Sequence, residues 1–211
     1  MAESGVLCVF TKAPVIGQVK TRLIPVLGAE RATDLYRALL SATLEKACSS
    51  SISEVHLYCS PDTSHSELKH YSEIYELQLK QQKGKTLGDK MNHALQEGLD
   101  EFDYALVLGC DCPSLTVEDL NDAYRHLEQG FDTVLGPAKD GGYYLLGLTS
   151  PQAGLFHNMD WGTSLVLDET RLRIKKADLK YYELSEYQDV DVPEDLQEYE
   201  LLINQLFPDK P

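Results

Sequence analysis

The sequence predicts an α/β fold, namely a three-layer α/β/α sandwich around a mostly parallel, mixed sheet. Two kinds of segment alternate along the chain. One kind is short and either apolar throughout or alternately apolar and polar, and the other is longer, with apolar residues at helical spacing. The two most apolar runs, residues 5–11 and 104–109, lack polar alternation, which is typical of strands buried on both faces of a parallel sheet. Because no repeat or low-complexity linker interrupts the pattern, we expect residues 1–211 to form one domain.

The first half of the chain contains three strand segments and two helical segments. The strand segments are short and cover residues 5–11, 54–59 and 75–79. The helical segments carry apolar residues three or four positions apart, and they cover residues 29–49 and 87–99. The sequence Pro-Asp-Thr-Ser at residues 61–64 indicates a turn or the start of a further helix.

The second half continues the alternation with four strand segments and three helices. We expect the strands at residues 104–109, 132–135, 142–148 and 179–184. One helix opens at Thr116, which has the spacing of a capping box with Asp119 in place of the usual Glu. The other helices are expected at residues 163–176 and 193–206, the last with proline in its first turn. Ligands of such sheets bind beyond the carboxyl ends of the strands, so the loops after Thr11 and Gly109 are the first candidates for a site.

The composition excludes several classes of partner. The net charge of −15 argues against nonspecific binding to nucleic acid or to anionic lipid, since both need a basic surface. No run approaches the roughly 20 apolar residues of a membrane span, and the N-terminus lacks a signal-peptide pattern. Five cysteines without a framework spacing are typical of free thiols in a reducing compartment. We therefore expect a cytoplasmic protein that acts on small molecules.

The loop after the first strand is basic in an otherwise acidic chain. It carries Lys12, Lys20 and Arg22, with Pro14 and Gly17 placed to shape its turn. Because guanidinium and ammonium groups bind phosphate oxygens, this pattern favours a clamp for the phosphates of a nucleotide. The alternative is a solvated loop whose cations offset nearby acids, because neither GxxxxGK[ST] nor GxGxxG is present.

Asp111 follows the second buried strand directly. A carboxylate at the end of a buried strand either caps the next turn or binds a cation. Mg²⁺ fits this position, because it binds one or two carboxylates together with substrate phosphates. Zinc is the weaker alternative, because Cys110 and Cys112 supply only two ligands and no second cluster of the usual spacing completes the set.

Five segments together closely resemble the DUF2064 family of bacterial proteins. They are FTKAPVIGQVKTRL at residues 10–23, GCDCPSL at 109–115, GPAKDGGYYLLG at 136–147, WGT at 161–163 and DVDVPEDL at 189–196. The resemblance implies the glycosyltransferase-A, nucleotide-diphospho-sugar-transferase fold, which also includes guanylyltransferases of cofactor synthesis. It implies Mg²⁺ or Mn²⁺ held by Asp111 and Asp191, although Val192 stands where threonine is expected.

The resemblance also implies roles for other residues. The nucleotide and phosphate set is Thr11, Lys12, Pro14, Gly17, Lys20, Arg22 and Gly88, and the catalytic set is Asp111, Asp140 and Lys20. The set expected to bind the acceptor is Gly141, Gly142, Tyr143, Trp161 and Thr163. Asp140 would act as general base or bind the acceptor, although Asp-Gly is also an ordinary hairpin turn. Trp161 is equally suited to packing, Gly88 to a plain helix start, and at most one of Tyr143 and Tyr144 is expected to face the site.

These observations predict a divalent-metal-dependent transferase with a nucleotide-linked small-molecule donor. The first basic loop is not the LxAGGxGxRxG type of sugar nucleotidyltransferases, which favours a nucleotide-sugar glycosyltransferase. Two alternatives stay open: a guanylyltransferase-like nucleotidyltransferase acting on a nucleoside triphosphate, and a nucleotide-binding protein without turnover. The sequence does not predict the base, the sugar, the acceptor or the oligomeric state.

Overall fold

The computed structural model describes residues 4–197 and 199. Its strands are β1 (Gly5–Lys12), β2 (Glu54–Ser60), β3 (Gln78–Gln81), β4 (Tyr104–Gly109), β5 (Thr133–Pro137), β6 (Tyr143–Leu148) and β7 (Tyr181–Glu183). Its α-helices are α1 (Ile24–Leu27), α2 (Ala29–Cys48), α3 (Ser66–Tyr75), α4 (Leu87–Leu99), α5 (Val117–Glu128) and α6 (Val166–Lys176). Short 3₁₀ helices cover Thr21–Leu23, Ala153–Leu155 and Pro193–Gln197.

The strands form one mixed sheet in the order β3-β2-β1-β4-β6-β5-β7. Strand β6 runs antiparallel to both of its neighbours, whereas the other pairings are parallel. The first residues of β6 therefore lie at the same edge as the last residues of β1 and β4. The predicted mostly parallel, mixed sheet is confirmed, and this edge is where the functional residues collect.

Helices cover both faces of the sheet. Successive residues of β1 alternate between the two cores: Leu7 and Val9 pack with α2, α3 and α5, whereas Val6 and Cys8 pack with α4 and α6. This alternation follows from the two-residue repeat of a strand, and it explains why β1 is apolar on both faces. The predicted three-layer arrangement is thus confirmed.

Some element boundaries differ from the sequence prediction. The third strand was expected at residues 75–79, but Tyr75 ends α3, and a left-handed Glu76 (φ 55°) terminates that helix before β3 begins at Gln78. The helix expected from residue 163 begins at Val166. Most of the closing helix expected at 193–206 lies outside the described residues.

The predicted capping box is confirmed, and a second helix begins with the same motif. Thr116 and Asp119 form the predicted capping box at the start of α5, and Thr86 and Asp89 form a second one at the start of α4. Within the part of the chain that the structure describes, no helix has the length and apolarity to cross a membrane.

Candidate active site at the carboxyl edge of the sheet

A cavity of about 330 Å³ lies over the sheet edge where β1 and β4 end and β6 begins. We call the part with Lys12, Lys20 and three aspartates its charged end, in which Lys20 contacts two of the carboxylates. The part lined by apolar and aromatic side chains, most of which pack in the core cluster on the α4 side of the sheet, is its apolar end. Cavities of this size with a few convergent polar groups are typical of small-molecule sites. The position agrees with the rule that open α/β sheets bind ligands beyond their strand ends.

Lys20 is the centre of the charged end. Its side chain is only 3% exposed, and its ammonium lies 2.6 Å from Asp111 Oδ1 and 3.8 Å from Asp191 Oδ1. Burial by itself would lower the pKa of Lys20, but the charge of Asp111 and its hydrogen bond outweigh burial, so the pKa is raised. The Lys20 backbone is left-handed (φ 47°), a conformation that costs a non-glycine residue roughly 1–2 kcal/mol. The fold therefore holds Lys20 in a strained backbone conformation, and such conformations are common at functional sites.

The chain before the last 3₁₀ helix is tied to Asp111 through its backbone. The Val190 N–H donates to the Asp111 carbonyl at 2.9 Å, and the buried Val190 side chain packs in the cluster that contains Leu23 and Leu35. Since alternate residues of an extended segment point to opposite sides, burial of Val190 turns the aspartates before and after it toward the cavity. Arg22 then reaches Asp191 Oδ2 at 2.6 Å from the exposed side.

Asp189 is a cavity residue that the sequence analysis did not single out. Its Oδ1 is buried and has no hydrogen-bond partner among the described residues. Burial, followed by the negative charges of Asp111 and Asp140, raises its pKa from 3.8 to about 7. The signal was present as Asp-x-Asp at positions 189 and 191, but within this acidic run only Asp191 was distinguished from residues of a solvated surface.

Tyr36 holds the start of the basic loop. Its hydroxyl lies 2.8 Å from Thr11 Oγ1 and accepts a hydrogen bond from the Lys12 backbone N–H at 2.7 Å. Burial raises the pKa of Tyr36 well above its ordinary value, so this hydroxyl stays protonated. The buried Thr11 hydroxyl is therefore hydrogen-bonded to Tyr36, whereas the Lys12 side chain is exposed at the cavity mouth. No sequence signal distinguishes Tyr36 from the apolar residues beside it on α2.

The apolar end of the cavity is formed by Phe10, Leu87, Met91 and Tyr143. Leu87 is 47% exposed although it is a large apolar residue, and the Tyr143 hydroxyl donates to Met91 Sδ at 3.9 Å. Tyr144 also contributes to the lining, but it is only 3% exposed and packs in the core, where its hydroxyl donates to the Ser185 carbonyl at 2.9 Å. Which of the two tyrosines contacts a ligand stays a prediction.

Gly88 faces Trp161 and is not part of the cavity lining. A Cβ on Gly88 would lie 2.5 Å from the indole, so glycine permits the ring to pack directly on the first turn of α4. Trp161 lines a second cavity of about 400 Å³ together with Phe156 and Asn158, and its ring also contacts Tyr143 edge-on. The packing role considered for Trp161 is thus present, and a role in acceptor binding stays a prediction.

Asp140 lies in the hairpin turn between β5 and β6, which is the structural role considered for it beside a role in catalysis. Its Oδ1 accepts a hydrogen bond from the Gly142 N–H at 2.8 Å, and the side chain is exposed. Gly141 has φ +87°, and a Cβ there would meet the Ser164 carbonyl oxygen. Glycine at 141 therefore lets this turn approach the chain before α6. The carboxylate of Asp140 is still close enough to contribute to the raised pKa of Asp189.

Pro14, Gly17 and Thr163 also lie outside the cavity lining. Gly17 has φ +80° in an open part of the loop, and the Pro14 carbonyl accepts a hydrogen bond from Arg37. Thr163 donates through its hydroxyl to the Asp160 carbonyl at 2.8 Å. These residues shape turns, and any contact they make with a ligand stays a prediction.

The donor set of the charged end suits a hard divalent cation better than zinc. Asp111, Asp189 and Asp191 supply carboxylate oxygens, the ligands that Mg²⁺ prefers, and the buried Asp189 Oδ1 lacks any partner within the described chain. The Lys20 ammonium already lies within ion-pair distance of both Asp111 and Asp191, so the two carboxylates are close enough to share one cation. Among the residues described, however, no group of three or more His, Cys, Asp or Glu side chains has the arrangement of a metal site.

The two cysteines that flank Asp111 do not favour zinc. Both are buried free thiols, and burial raises the pKa of each to about 12. Since the thiolate is the form that binds metal, neutral buried thiols are poor ligands.

Comparisons with known proteins agree on the fold. A family model for DUF2064, described as uncharacterized protein conserved in bacteria, matches residues 43–163. No curated protein sequence matches the chain significantly. A crystal structure from Desulfovibrio desulfuricans, provisionally named a nucleotide-diphospho-sugar transferase, is 28% identical over 96% of this chain and 97% of its own, with a TM-score of 0.83.

More distant structures share the fold but little sequence. A cytidylyltransferase from Leptospira borgpetersenii is 14% identical over 100% of this chain and 89% of its own, with a TM-score of 0.60. A glucosyl-3-phosphoglycerate synthase from Mycobacterium tuberculosis, solved with Mn²⁺, UDP and glucosyl-3-phosphoglycerate, is 7% identical over 97% of this chain and 77% of its own, with a TM-score of 0.57. The fold is therefore one that transferases of both sugars and nucleotidyl groups use.

Proposed function

This chain belongs to the DUF2064 family, and from that premise we propose that it is a divalent-metal-dependent transferase that takes a glycosyl group from a nucleotide sugar. The observation that carries the proposal is the two-ended cavity. Its charged end joins Lys20 to two carboxylates, and its other end offers an apolar and aromatic wall. A nucleotide sugar has the matching chemistry, a charged diphosphate between a flat base and a polar sugar.

The cations of the first loop suit the diphosphate. Lys12 is exposed at the cavity mouth, and Lys20 is fixed in the cavity by its ion pairs. In glycosyl transfer the sugar–phosphate bond breaks and negative charge develops on the departing diphosphate. Positive groups held close to such charge stabilise it, and Lys20 would become available for this role once a divalent cation is shared by Asp111 and Asp191.

Asp111 and Asp191, with Asp189 beside them, are the residues that would hold a divalent cation. When bound, such a cation would supply Lewis-acid stabilisation of the diphosphate. The orphaned Asp189 oxygen and the crowding of three carboxylates on one wall are what favour this assignment. Asp140 would accept the proton of the acceptor hydroxyl, because its carboxylate is exposed next to this wall.

Ligand-induced thermal stabilisation tests the proposal. The protein is heated with UDP, GDP, CDP or ADP, with the corresponding sugar nucleotides and with the triphosphates, each in EDTA, Mg²⁺ or Mn²⁺. A ligand that binds only the folded state raises stability by mass action, so a donor should produce a metal-dependent shift. Stabilisation by one nucleotide sugar and its diphosphate, followed by release of that diphosphate on incubation, is the expected result. Preference for a triphosphate would contradict glycosyl transfer and support nucleotidyl transfer.

A pair of aspartate variants identifies the metal site. Asp111→Asn should abolish the metal-dependent part of the shift, because it removes one of the carboxylates proposed as ligands. Asp100→Asn is the matched control, since Asp100 is exposed at the end of α4 and away from the cavity. Equal metal-dependent shifts in the two variants would contradict the metal assignment.

A further inference from the structure

Gln82 lines the cavity, and no pattern in the sequence distinguishes it. It follows β3 directly, and its backbone N–H donates to the Cys59 carbonyl at 2.9 Å, which extends the pairing of β3 with β2 by one residue. Its side-chain Nε2 donates to two backbone carbonyls, those of Thr11 at 3.0 Å and Tyr58 at 2.9 Å. The amide is therefore anchored across the ends of β1 and β2.

This anchoring fixes which atom Gln82 offers to a ligand. A primary amide has two N–H hydrogens, and both are used by the Thr11 and Tyr58 carbonyls. Turning the amide over would place its oxygen against two carbonyl oxygens, so the orientation of the group is determined by its partners. What remains is Oε1, an acceptor to which none of the described residues donates. Gln82 is partly exposed, so this acceptor is accessible from the cavity.

The position of Gln82 suits its acceptor oxygen to contact with the base of a nucleotide rather than with the phosphates. A carboxamide oxygen repels phosphate oxygens, so it does not belong to the anion-binding end. The Tyr58 carbonyl that anchors it belongs to a residue whose ring stacks on Phe10, with centroids 5.5 Å apart, and Phe10 is part of the apolar wall. A flat base against that wall would present its polar edge to the fixed acceptor.

We propose that Gln82 Oε1 reads the base of the donor nucleotide by accepting a hydrogen bond from a ring or exocyclic N–H. The chemical class recognised is a base with an N–H on its pairing edge, such as the imino N–H of uracil or guanine or the amino group of cytosine. This inference rests on the proposed function, because it takes the cavity to bind a nucleotide. It makes Gln82 a specificity-determining residue that touches the substrate away from the reacting bond.

The test uses Gln82→Met, which keeps the length of the side chain but removes the acceptor. Dissociation constants for UDP, CDP, GDP and ADP are measured by calorimetry with excess Mg²⁺ for the wild type and the variant. We expect the affinity for the preferred diphosphate to fall by about tenfold, the effect of one lost hydrogen bond, while the other three change little. Selectivity between bases should therefore collapse. An equal loss for all four diphosphates would overturn the proposal, because it would indicate a contact with ribose or a general distortion.

The control is Gln81→Met. Gln81 is the preceding residue and also donates through Nε2 to a backbone carbonyl, that of Pro61 at 2.8 Å, but it is exposed and does not line the cavity. It should leave all four dissociation constants unchanged. A loss of selectivity in this variant as large as in Gln82→Met would overturn the assignment to Gln82.

A second measurement does not depend on the variant being folded. The wild type is titrated with the preferred diphosphate methylated at the pairing-edge nitrogen, for example 3-methyluridine diphosphate if UDP binds best. We expect affinity to fall by about tenfold or more, because the N–H has been replaced by a methyl group. Unchanged affinity would overturn the proposal for Gln82. Failure of the wild type to bind any of the four diphosphates would instead refute the proposed function, so the two failures are distinguishable.

Discussion

Replacement of Lys20 by methionine tests whether the charged end of the cavity is held together as the structure indicates. Methionine keeps an unbranched stem and leaves the left-handed backbone (φ 47°) unchanged, so the variant removes mainly the ammonium. Removing one partner of a fully buried ion pair costs about 3–5 kcal/mol. Here Lys20 is buried but the Asp111 side chain is 41% exposed, so water compensates in part, and we expect a loss of about 2 kcal/mol.

The assay is urea unfolding in EDTA at neutral pH, with Lys12→Met as the matched control. Lys12 belongs to the same loop but is exposed, and it has no ion pair with any described residue. Its replacement should change the free energy of unfolding by less than about 0.5 kcal/mol, as ordinary surface substitutions do. A double-mutant cycle of Lys20→Met with Asp111→Asn should give a coupling energy above about 0.5 kcal/mol, because the side chains are in direct contact. If Lys20→Met costs no more than Lys12→Met, the ion pair does not stabilise the fold and the reasoning is refuted.

Three further predictions concern stability. His56→Phe should raise the free energy of unfolding by about 1–2 kcal/mol at pH 7, because both ring nitrogens of His56 are buried and have no hydrogen-bond partner among the described residues. Burial lowers the pKa of His56, so the folded state binds fewer protons than the unfolded chain below about pH 6.5. The difference in unfolding free energy between the variant and the wild type should therefore increase as the pH falls. A difference that does not change with pH would contradict this. Gly88→Ala should lower the free energy of unfolding by about 1–3 kcal/mol, because the added Cβ would clash with Trp161. The control is Gly154→Ala, whose Cβ would meet no described residue within 4 Å, and it should lower this free energy clearly less. Equal losses measured by urea unfolding would contradict the packing argument. Asp189→Asn should stabilise the protein in EDTA by up to about 4 kcal/mol at pH 8, because the pKa of Asp189 is about 7 in the folded state and 3.8 ordinarily. The gain in stability should decline below pH 7 and vanish near pH 4. Absence of the gain at pH 8 would refute the raised pKa.

The sheet and the edge at which its cavity lies followed from the sequence because both depend on local pattern. Apolar runs without alternation identified β1 and β4 as central strands, and these strands are hydrogen-bonded neighbours, with Phe10 opposite Gly109. Ligands of such sheets bind beyond the carboxyl ends of the strands, so the loops that carry Lys20 and Asp111 were the first candidates for a site, and the structure brings the two side chains into contact. Their roles in binding nucleotide and metal stay predictions.

The residues that were missed depend on tertiary contacts that no local pattern encodes. Asp189 faces the cavity because Val190 is buried against α1 and α2, and an acidic run does not show which of its members a distant helix will turn inward. Gln82 reaches the cavity because β3 pairs with β2 and places the amide beside two carbonyls. The sequence also placed Lys12, Lys20 and Arg22 in one phosphate clamp, since charge alone does not reveal that the last two are already paired with carboxylates.

That pairing makes the binding of phosphate and of metal interdependent. Of the three cations, Lys20 and Arg22 contact Asp111 and Asp191, so the charged end has little positive charge to spare for a diphosphate. A divalent cation shared by the two carboxylates would leave Lys20 available for phosphate, and a bound diphosphate would in turn favour the cation. Linkage then requires that each ligand raise the affinity for the other by the same factor. Under the proposed function, titration with Mn²⁺ in the presence and absence of the preferred nucleoside diphosphate should therefore give different affinities, with at least a fivefold gain, about 1 kcal/mol of coupling. Identical Mn²⁺ affinities would mean that Lys20 stays on Asp111 when nucleotide binds, and that the phosphates are left to Lys12.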